Sequence, residues 1–210
     1  MSCPHRFLGY HAADSLLPDW EFDYLFIGTF NPVWDFSTGE NASYFYGRTK
    51  NNYFWDLVPE IWALQKMRTL DVAKWQQLLQ QHQIGVTDLI RNIEDANPQN
   101  AQHQCWLKSK SDGDLVRFQQ IVWNTSEILR VIARKQKLKG IFVTNQRAPG
   151  KIEHQIQLLE QAANRHQIYF ARLITPSGGA RFQFSKGTKL YEALFDSWKQ
   201  KIDLVLKRFL

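Results

Sequence analysis

Short apolar runs alternate along this chain with longer stretches of helical spacing, and this alternation constrains the fold more than any other feature of the sequence. A short apolar run without polar alternation is typical of a strand that is buried on both faces. When such strands alternate with helices, right-handed crossovers bring them into one parallel sheet that has helices on both sides. The pattern therefore predicts an α/β fold.

The alternation gives four strands, four helices and a further helix at the C-terminus. We predict strands at Asp23 to Ile27, Ile84 to Asp88, Lys139 to Thr144 and Ile168 to Ile174. We predict helices around Asn52 to Gln65, Asp71 to Gln81, Leu115 to Arg134 and Ile152 to Asn164. Apolar residues at helical spacing also predict a packing helix at the C-terminus, and they are Leu190, Leu194, Trp198, Ile202, Val205 and Phe209.

Composition and charge narrow the class of protein. The 210 residues, 44% of them hydrophobic, predict one domain (1–210) around one substantial core. The net charge of +6 favours an acidic partner, of which nucleic acid is the commonest, although ordinary soluble enzymes also carry such a charge. Two cysteines, Cys3 and Cys105, are too few for a disulfide framework. Without a signal-peptide or membrane-spanning pattern, we expect a soluble, cytoplasmic monomer that has no membrane partner.

Several common chemistries lack their motifs. No Gly-x-Gly-x-x-Gly follows the first predicted strand, and Lys186 to Lys189 lacks the upstream glycine of a phosphate-binding P-loop. His103 and Cys105 lie close in sequence, but two groups do not make a zinc site. No Gly-x-Ser-x-Gly elbow surrounds Ser177. We therefore expect no metal and no cofactor, and chemistry that is carried out by amides, backbone donors and aromatic faces.

Two loop motifs follow predicted strands. They are Gly28-Thr-Phe-Asn-Pro32 after the first strand and Thr175-Pro-Ser-Gly-Gly-Ala-Arg-Phe182 after the last. Both loops leave the carboxyl edge of the sheet, where α/β proteins bind ligands. Between them, Tyr44 to Trp55 is rich in aromatic and amide side chains and has two cations. Together the three segments predict a site for a flat, uncharged base that is carried on a phosphate chain.

The order of these motifs resembles the uracil-DNA glycosylase superfamily. The chain has Gly-x-x-Asn-Pro, then Tyr-Phe-Tyr-Gly before Asn-x-Phe-Trp, then Gly85-Val-Thr-Asp-Leu89, then Pro-Ser-x-x-Ala-Arg-Phe. Each motif is weak alone, but four in this order, from about Tyr24 to Phe195, are fairly specific. The likeness is greatest to the mismatch-specific uracil and thymine-DNA glycosylases and to the hypoxanthine-DNA glycosylases. It implies a three-layer α/β/α sandwich with a central four-stranded parallel sheet.

The resemblance implies that an asparagine positions the attacking water. Asn31 matches that residue in the mismatch-specific branch, although that branch has one residue, not two, between the glycine and the asparagine. In the hypoxanthine branch, the important amide precedes x-Phe-Trp, and Asn52 matches it. Asn31 and Asn52 are therefore both catalytic candidates. Asn52 could instead cap a helix, since asparagine accepts hydrogen bonds from the free N–H groups of a helix N-terminus.

Base recognition falls, by the same resemblance, to the first loop and the aromatic stretch. A base that has been flipped out of DNA needs a stacking face, and Phe45 or Tyr46 would supply it. The remaining candidates for base binding are Gly28, Thr29 and Phe30.

The last loop would bind the DNA itself. Ser177, Gly178 and Gly179 match residues that grip phosphates, and Arg181 matches an arginine that fills the space left by an extruded nucleotide. Arg48 and Lys50 are further cations for phosphate contact. The alternative is a tight turn with an exposed arginine.

The resemblance implies a monofunctional DNA glycosylase of DNA repair that removes a deaminated base such as uracil or hypoxanthine and leaves an abasic site. Its partner would be DNA that contains damaged or mismatched bases. The alternatives are a catalytically inactive nucleic-acid-binding module of the same fold and an enzyme that acts on free nucleosides. The polar segment Arg91 to Asp114 shows no clear period and is predicted to be a loop. It is either a DNA-facing patch around Trp106 or a surface loop that this tryptophan anchors.

Overall fold

Two sheets and a set of helices make up the computed structural model, which describes residues 1–35, 42–46, 52–64, 67–109, 111–134 and 137–208. The strands are β1 (Cys3–Pro4), β2 (Tyr24–Gly28), β3 (Ile84–Asp88), β4 (Ile90–Ile93), β5 (Ile121–Trp123), β6 (Gly140–Val143) and β7 (Tyr169–Arg172). The helices are α1 (Phe54–Ile61), α2 (Val72–Gln81), α3 (Ala101–Lys108), α4 (Asp112–Leu115), α5 (Thr125–Arg134), α6 (Gly150–Arg165), α7 (Leu190–Leu206) and a 3₁₀ helix, Gly178–Gln183.

The central sheet has four strands in the order β3-β2-β6-β7. Every neighbouring pair is parallel, so all four carboxyl ends lie at one edge. The register places Gly28 opposite Asp88 at that edge. The four predicted strands are confirmed, with ends that differ from the prediction by two residues at most.

Side chains that alternate along β2 pack on opposite faces of the sheet. Tyr24 and Phe26 face a cluster that includes α1, α2 and α7, whereas Leu25 and Ile27 face a cluster that includes α5 and α6. The Phe26 ring, for example, lies 5.0 Å from the ring of Phe142 on the neighbouring strand. The predicted three-layer α/β/α sandwich is confirmed.

The predicted loop from Arg91 to Asp114 is wrong, because most of this segment has regular structure. It contains most of β4, which pairs antiparallel with β1 and β5 in a second, three-stranded sheet. It also contains α3, whose start is capped by the Asn100 side chain. The strand is too short and too irregular to show a period of two, since a bulge interrupts it between Ile90 and Asn92.

The prediction of one helix from Leu115 to Arg134 is wrong in its first half. Leu115 ends α4, the strand β5 follows at Ile121–Trp123, and α5 begins only at Thr125. The second sheet recruits Ile121–Trp123 as a strand, and such tertiary pairing overrides a local helical pattern.

Trp106 anchors its segment to the body of the protein. Its ring lies 5.3 Å from those of His103 and Phe118, and the Arg117 guanidinium lies over it at 5.6 Å. These contacts favour the second of the two sequence interpretations, a surface segment that one tryptophan holds in place.

The C-terminal helix α7 is confirmed. It buries the predicted Leu190, Leu194, Trp198, Ile202 and Val205, while Phe209 lies outside the described residues. No helix among the described residues is both long and apolar enough to cross a membrane.

Candidate active site

The loop after β2 carries Asn31, and backbone hydrogen bonds hold this loop from two sides. The N–H groups of Leu89 and of Ile90, the first residue of β4, donate to the carbonyls of Gly28 and Thr29, at 3.1 Å each. The N–H of Arg6 donates to the carbonyl of Asn31 at 2.8 Å. The backbone at Asn31 is therefore fixed between the sheet edge and the N-terminal segment.

Asp88, the last residue of β3, orients the Asn31 side chain. Both residues are buried, with Asp88 2% and Asn31 7% exposed. Nδ2 of Asn31 donates to Oδ2 of Asp88 at 2.7 Å. Because the amide nitrogen faces the carboxylate, the amide oxygen is the end of the side chain that can accept a hydrogen bond from another molecule.

His5 supplies a second donor to Asp88. It pairs with Pro32 in an isolated antiparallel bridge, and its Nε2 lies 2.8 Å from Asp88 Oδ2. The N–H of Phe7 donates to His5 Nδ1 at 3.1 Å, so Nδ1 carries no proton and the imidazole proton is on Nε2. A neutral imidazole therefore donates to the buried carboxylate.

Gly28 leaves the space that the Asp88 carboxylate occupies. A Cβ at this position would lie 2.3 Å from Asp88 Oδ1 and 3.2 Å from the hydroxyl oxygen of Tyr46. Only glycine permits this approach of a side chain to the backbone of the neighbouring strand. The sequence analysis placed Gly28 in the base-binding set, and the structure places it beneath Asp88.

Tyr46 packs against the same point. Its phenol donates to Thr144 Oγ1 at 3.2 Å, since the Thr144 hydroxyl itself donates to the carbonyl of Ile27. Its ring stacks on that of Phe54 at 3.8 Å with an interplanar angle of 5°. Burial and, secondarily, the charge of Asp88 raise the pKa of Tyr46 well above its usual value, so the phenol stays protonated. Its φ of +61° is uncommon for a residue with a side chain.

The other aromatic candidates for base binding are buried. Phe45 has no exposed surface, because its ring packs against those of His5 and Phe7 at 5.4 and 4.9 Å. Phe30 is 8% exposed and meets His5 edge-on at 5.6 Å. A ring without exposed surface offers no stacking face in this arrangement, so stacking of a base on Phe45 stays a prediction.

Asn52 precedes α1 and already uses its side-chain oxygen. Oδ1 accepts from the N–H of Phe54 at 3.0 Å, which is the capping interaction that the sequence analysis weighed against a catalytic role. The next residue, Tyr53, donates its N–H to the carbonyl of Pro176 at 2.7 Å. Asn52 thus lies beside the last loop, and none of the hydrogen bonds among described residues joins it to Asp88.

Hydrogen bonds hold the start of the last loop in place. The indole N–H of Trp198 donates to the carbonyl of Ile174 at 2.9 Å. The hydroxyl oxygens of Thr175 and Ser177 lie 3.2 Å apart. With the Tyr53 bond to Pro176, these contacts hold the start of the loop on both α1 and α7.

The tip of this loop presents two large side chains to solvent. Gly178 and Gly179 begin the 3₁₀ helix, and Arg181 and Phe182 follow on it. Arg181 is exposed and Phe182 is 94% exposed. A cavity of about 330 Å³, which Lys186 also lines, lies against both side chains. The tip thus presents a cation and an aromatic ring side by side, and both are free to contact another molecule.

A second carboxylate, Asp112 on α4, lies at the same edge of the sheet. Thr29 Oγ1 donates to its Oδ2 at 3.1 Å, and Nδ2 of Asn145, in the loop after β6, donates to the same oxygen. Burial raises the pKa of Asp112 to about 6, although the bonds from Thr29 and Asn145 act in the opposite direction.

The structure thus brings Gly28, Thr29, Asn31 and Tyr46 together at one edge. Arg48 and Lys50, which are predicted to bind DNA, lie outside the described residues. Among the residues that are described, no three His, Cys, Asp or Glu side chains form a group that could hold a metal ion.

The sequence analysis assigned no role to His5, Asp88 or Asp112. A charge at the end of an apolar strand was a usable signal for Asp88, because ligand-binding residues concentrate where strands enter loops. His5 and Asp112 lie in segments without a motif, and no local pattern marks either of them.

Comparison with known proteins bears on the fold. No family model and no curated protein sequence matches the chain. The chain is similar to the solution NMR structure of a "putative Uracil DNA glycosylase" from Methanosarcina acetivorans, with a TM-score of 0.51 and 18% sequence identity. The likeness covers 87% of this chain and 89% of that one. This protein therefore shares its α/β fold, over most of both chains, with a protein that carries that name.

Proposed function

We propose that this protein belongs to the uracil-DNA glycosylase superfamily and is a monofunctional glycosylase that removes a deaminated base, uracil or hypoxanthine, from DNA. The observation that carries the proposal is the 2.7 Å bond from Asn31 to Asp88, which holds a buried amide in one orientation at the ligand-binding edge of the sheet. The shared fold and the net charge of +6 support the same function.

Hydrolysis of the N-glycosidic bond needs a held water molecule and a stabilised cation. The C1′–N bond breaks and its electron pair leaves with the base, so the sugar passes through an oxocarbenium-like state. The water oxygen then bonds to C1′ and its proton passes to solvent. Oδ1 of Asn31 would accept a hydrogen bond from this water and keep it beneath the sugar. The negative charge of Asp88 would stabilise the developing positive charge.

In the proposal, Asn31 holds the water, Asp88 both orients Asn31 and supplies the negative charge, and His5 is a positioning residue. Without the carboxylate, the Asn31 amide could turn its nitrogen toward the water, and an amide N–H group cannot accept a hydrogen bond from an attacking water. His5 in turn holds the carboxylate through Nε2. We assign Asn52 a lesser part, because its oxygen is already bonded to the N–H of Phe54.

The last loop would grip the DNA and replace the extruded nucleotide. Ser177, Gly178 and Gly179 would contact phosphates, and Arg181 with Phe182 would enter the space that the base vacates. Extrusion from a duplex costs a few kcal/mol, roughly, and side chains that fill the gap offset part of this cost. The exposure of both side chains at the loop tip supports this assignment.

End-labelled duplexes that contain uracil, hypoxanthine, xanthine or a thymine mismatch provide the test. A monofunctional glycosylase leaves an abasic site, so strand breaks should form only after alkali treatment. Breaks without alkali would contradict the monofunctional assignment. DNA binding without abasic sites on any substrate would favour an inactive module, and equal turnover of free deoxynucleosides would favour a nucleoside hydrolase.

A further inference from the structure

Asp112 has an acceptor oxygen to spare at the sheet edge. Both of its side-chain hydrogen bonds in the described part of the chain, from Thr29 and from Asn145, end on Oδ2. A carboxylate has two acceptor oxygens, so Oδ1 remains to accept a hydrogen bond. The residue as a whole is partly exposed.

Asn145 has a donor to spare beside that oxygen. Its Oδ1 accepts from the N–H of Arg147 at 3.0 Å, which fixes the orientation of the amide. Its Nδ2 therefore faces Asp112 and gives one of its two hydrogens to Oδ2. The second hydrogen remains as a donor. Since the two side chains are bonded to each other, the spare acceptor and the spare donor are neighbours.

We propose that Asp112 and Asn145 read the lactam edge of the base, in which a ring N–H lies next to a carbonyl group. Asp112 Oδ1 would accept from the ring N–H and Asn145 Nδ2 would donate to the carbonyl. Uracil, hypoxanthine and xanthine present this edge. Cytosine and adenine present a ring nitrogen that accepts beside an amino group that donates, which is the reverse pattern. The pair therefore selects uracil over cytosine and hypoxanthine over adenine, whereas guanine and thymine share the lactam edge and must be excluded by other contacts. The inference rests on the proposed function.

The position of the pair in the fold supports this role. Thr29 bonds to Asp112 and is two residues from Asn31, so one loop joins the pair to the residue that would hold the water. The charge of Asp88 also contributes to the raised pKa of Asp112. With a pKa of about 6, Asp112 is largely ionised at neutral pH and presents an acceptor there. Enzymes that act on a flipped base read its hydrogen-bonding edge in this way.

The test compares uracil with 2-pyrimidinone, a base with the same ring but without the C4 oxygen, in single-stranded DNA. 2-Pyrimidinone has an acceptor at N3 and no carbonyl at C4. In Asp112→Asn, the amide oxygen must take the place of Oδ2, because Thr29 and Asn145 both donate to that position. The amide NH₂ therefore takes the place of the acceptor Oδ1. A donor then faces the ring N–H of uracil. We expect the single-turnover rate ratio of uracil to 2-pyrimidinone to fall by about a hundredfold or more, because an unpaired polar group is strongly disfavoured in such a site.

Asp114→Asn is the matched control. Asp114 lies on the same helix α4 but pairs with Arg117 at 3.1 Å, so this variant should keep the wild-type ratio. Asn145→Leu removes the donor to the C4 carbonyl of uracil. Because 2-pyrimidinone has no such carbonyl, this variant should also lower the ratio of uracil to 2-pyrimidinone. An unchanged ratio in Asp112→Asn, or an equal loss on both bases, would overturn the inference while wild-type cleavage of uracil still upholds the proposed function. Failure of the wild-type protein to cleave any base would instead reject the function itself.

Discussion

Nδ2 of Asn31 lies 2.7 Å from Oδ2 of Asp88, and this one bond joins the loop after β2 to the last residue of β3. Both side chains are buried, so water does not compete for the bond. Asp88 consequently fixes the orientation of the amide, with its oxygen toward an incoming molecule. The chemistry that we propose depends on this orientation.

Replacing Asn31 tests the water assignment. Asn31→Ala should lower the single-turnover excision rate by about a hundredfold or more, because a preorganised polar contact of this kind acts mainly in the transition state. DNA affinity, measured by fluorescence anisotropy, should change little. Asn52→Ala is the comparison, and we expect a smaller loss there. Wild-type cleavage by both single variants and by the double variant would exclude both asparagines.

Gly28→Ala should damage the site through Asp88. The new methyl group would meet Asp88 Oδ1 at 2.3 Å and push the carboxylate away from His5 and Asn31. Overpacking of this kind typically costs about 1 to 3 kcal/mol of folding free energy. We therefore expect a lower melting temperature together with slower excision. Gly179→Ala is the control for stability alone, since its Cβ would meet only Ser177 Oγ at 3.5 Å, and a melting temperature as low as that of Gly28→Ala would refute the steric explanation.

The loop tip should matter more on duplex than on single strands. Arg181→Ala and Phe182→Ala each remove a side chain that we propose to fill the vacated stack, and a single strand has no such stack to restore. Excision from paired DNA should fall more than excision from single-stranded DNA, at an unchanged melting temperature because both side chains are exposed. Equal losses on the two substrates would mark the residue as a simple backbone contact.

Asp112 should make the stability of the protein depend on pH. Its pKa in the folded protein is about 6, compared with 3.8 for an unperturbed aspartate, so between these values the folded protein binds this proton more readily than the unfolded chain. The contribution of Asp112 to stability is therefore greatest at low pH and falls as the pH rises through this window. Asp112→Asn stays neutral, so its melting temperature should rise relative to wild type between about pH 4 and about pH 7. Thermal melts across this range that show a constant or shrinking difference would contradict the raised pKa.

The carboxyl-edge position of the two loop motifs could be predicted from the sequence. Apolar runs define buried strands locally, and the carboxyl ends of parallel strands share one edge whatever their order. The pairing of Asn31 with Asp88 could not be predicted in the same way. These residues are 57 positions apart, and no local pattern states which strands are neighbours or that Gly28 lies opposite Asp88.

The second sheet and its consequences were hidden from sequence analysis. Its strands have two to four residues, and a bulge breaks the alternation of β4. For this reason His5, at the end of β1, and Asp112, beyond α3, had no recognisable context. Burial of Phe45 was equally hidden, because it depends on the ring of His5, which no local sequence pattern places beside it.

The N-terminal strand gives the site a weak point of its own. β1 pairs over only two residues, Cys3 with Ile93 and Pro4 with Asn92, and its continuation supplies both the His5 donor and the Arg6 bond to the Asn31 carbonyl. A strand that pairs over so few residues opens locally at a lower free energy than the sheet at the centre of a domain. Opening of β1 would release the loop of Asn31 while the four-stranded sheet stays folded. Amide hydrogen exchange at Arg6 should then be faster than exchange in β2, and loss of activity on warming should precede loss of the fold.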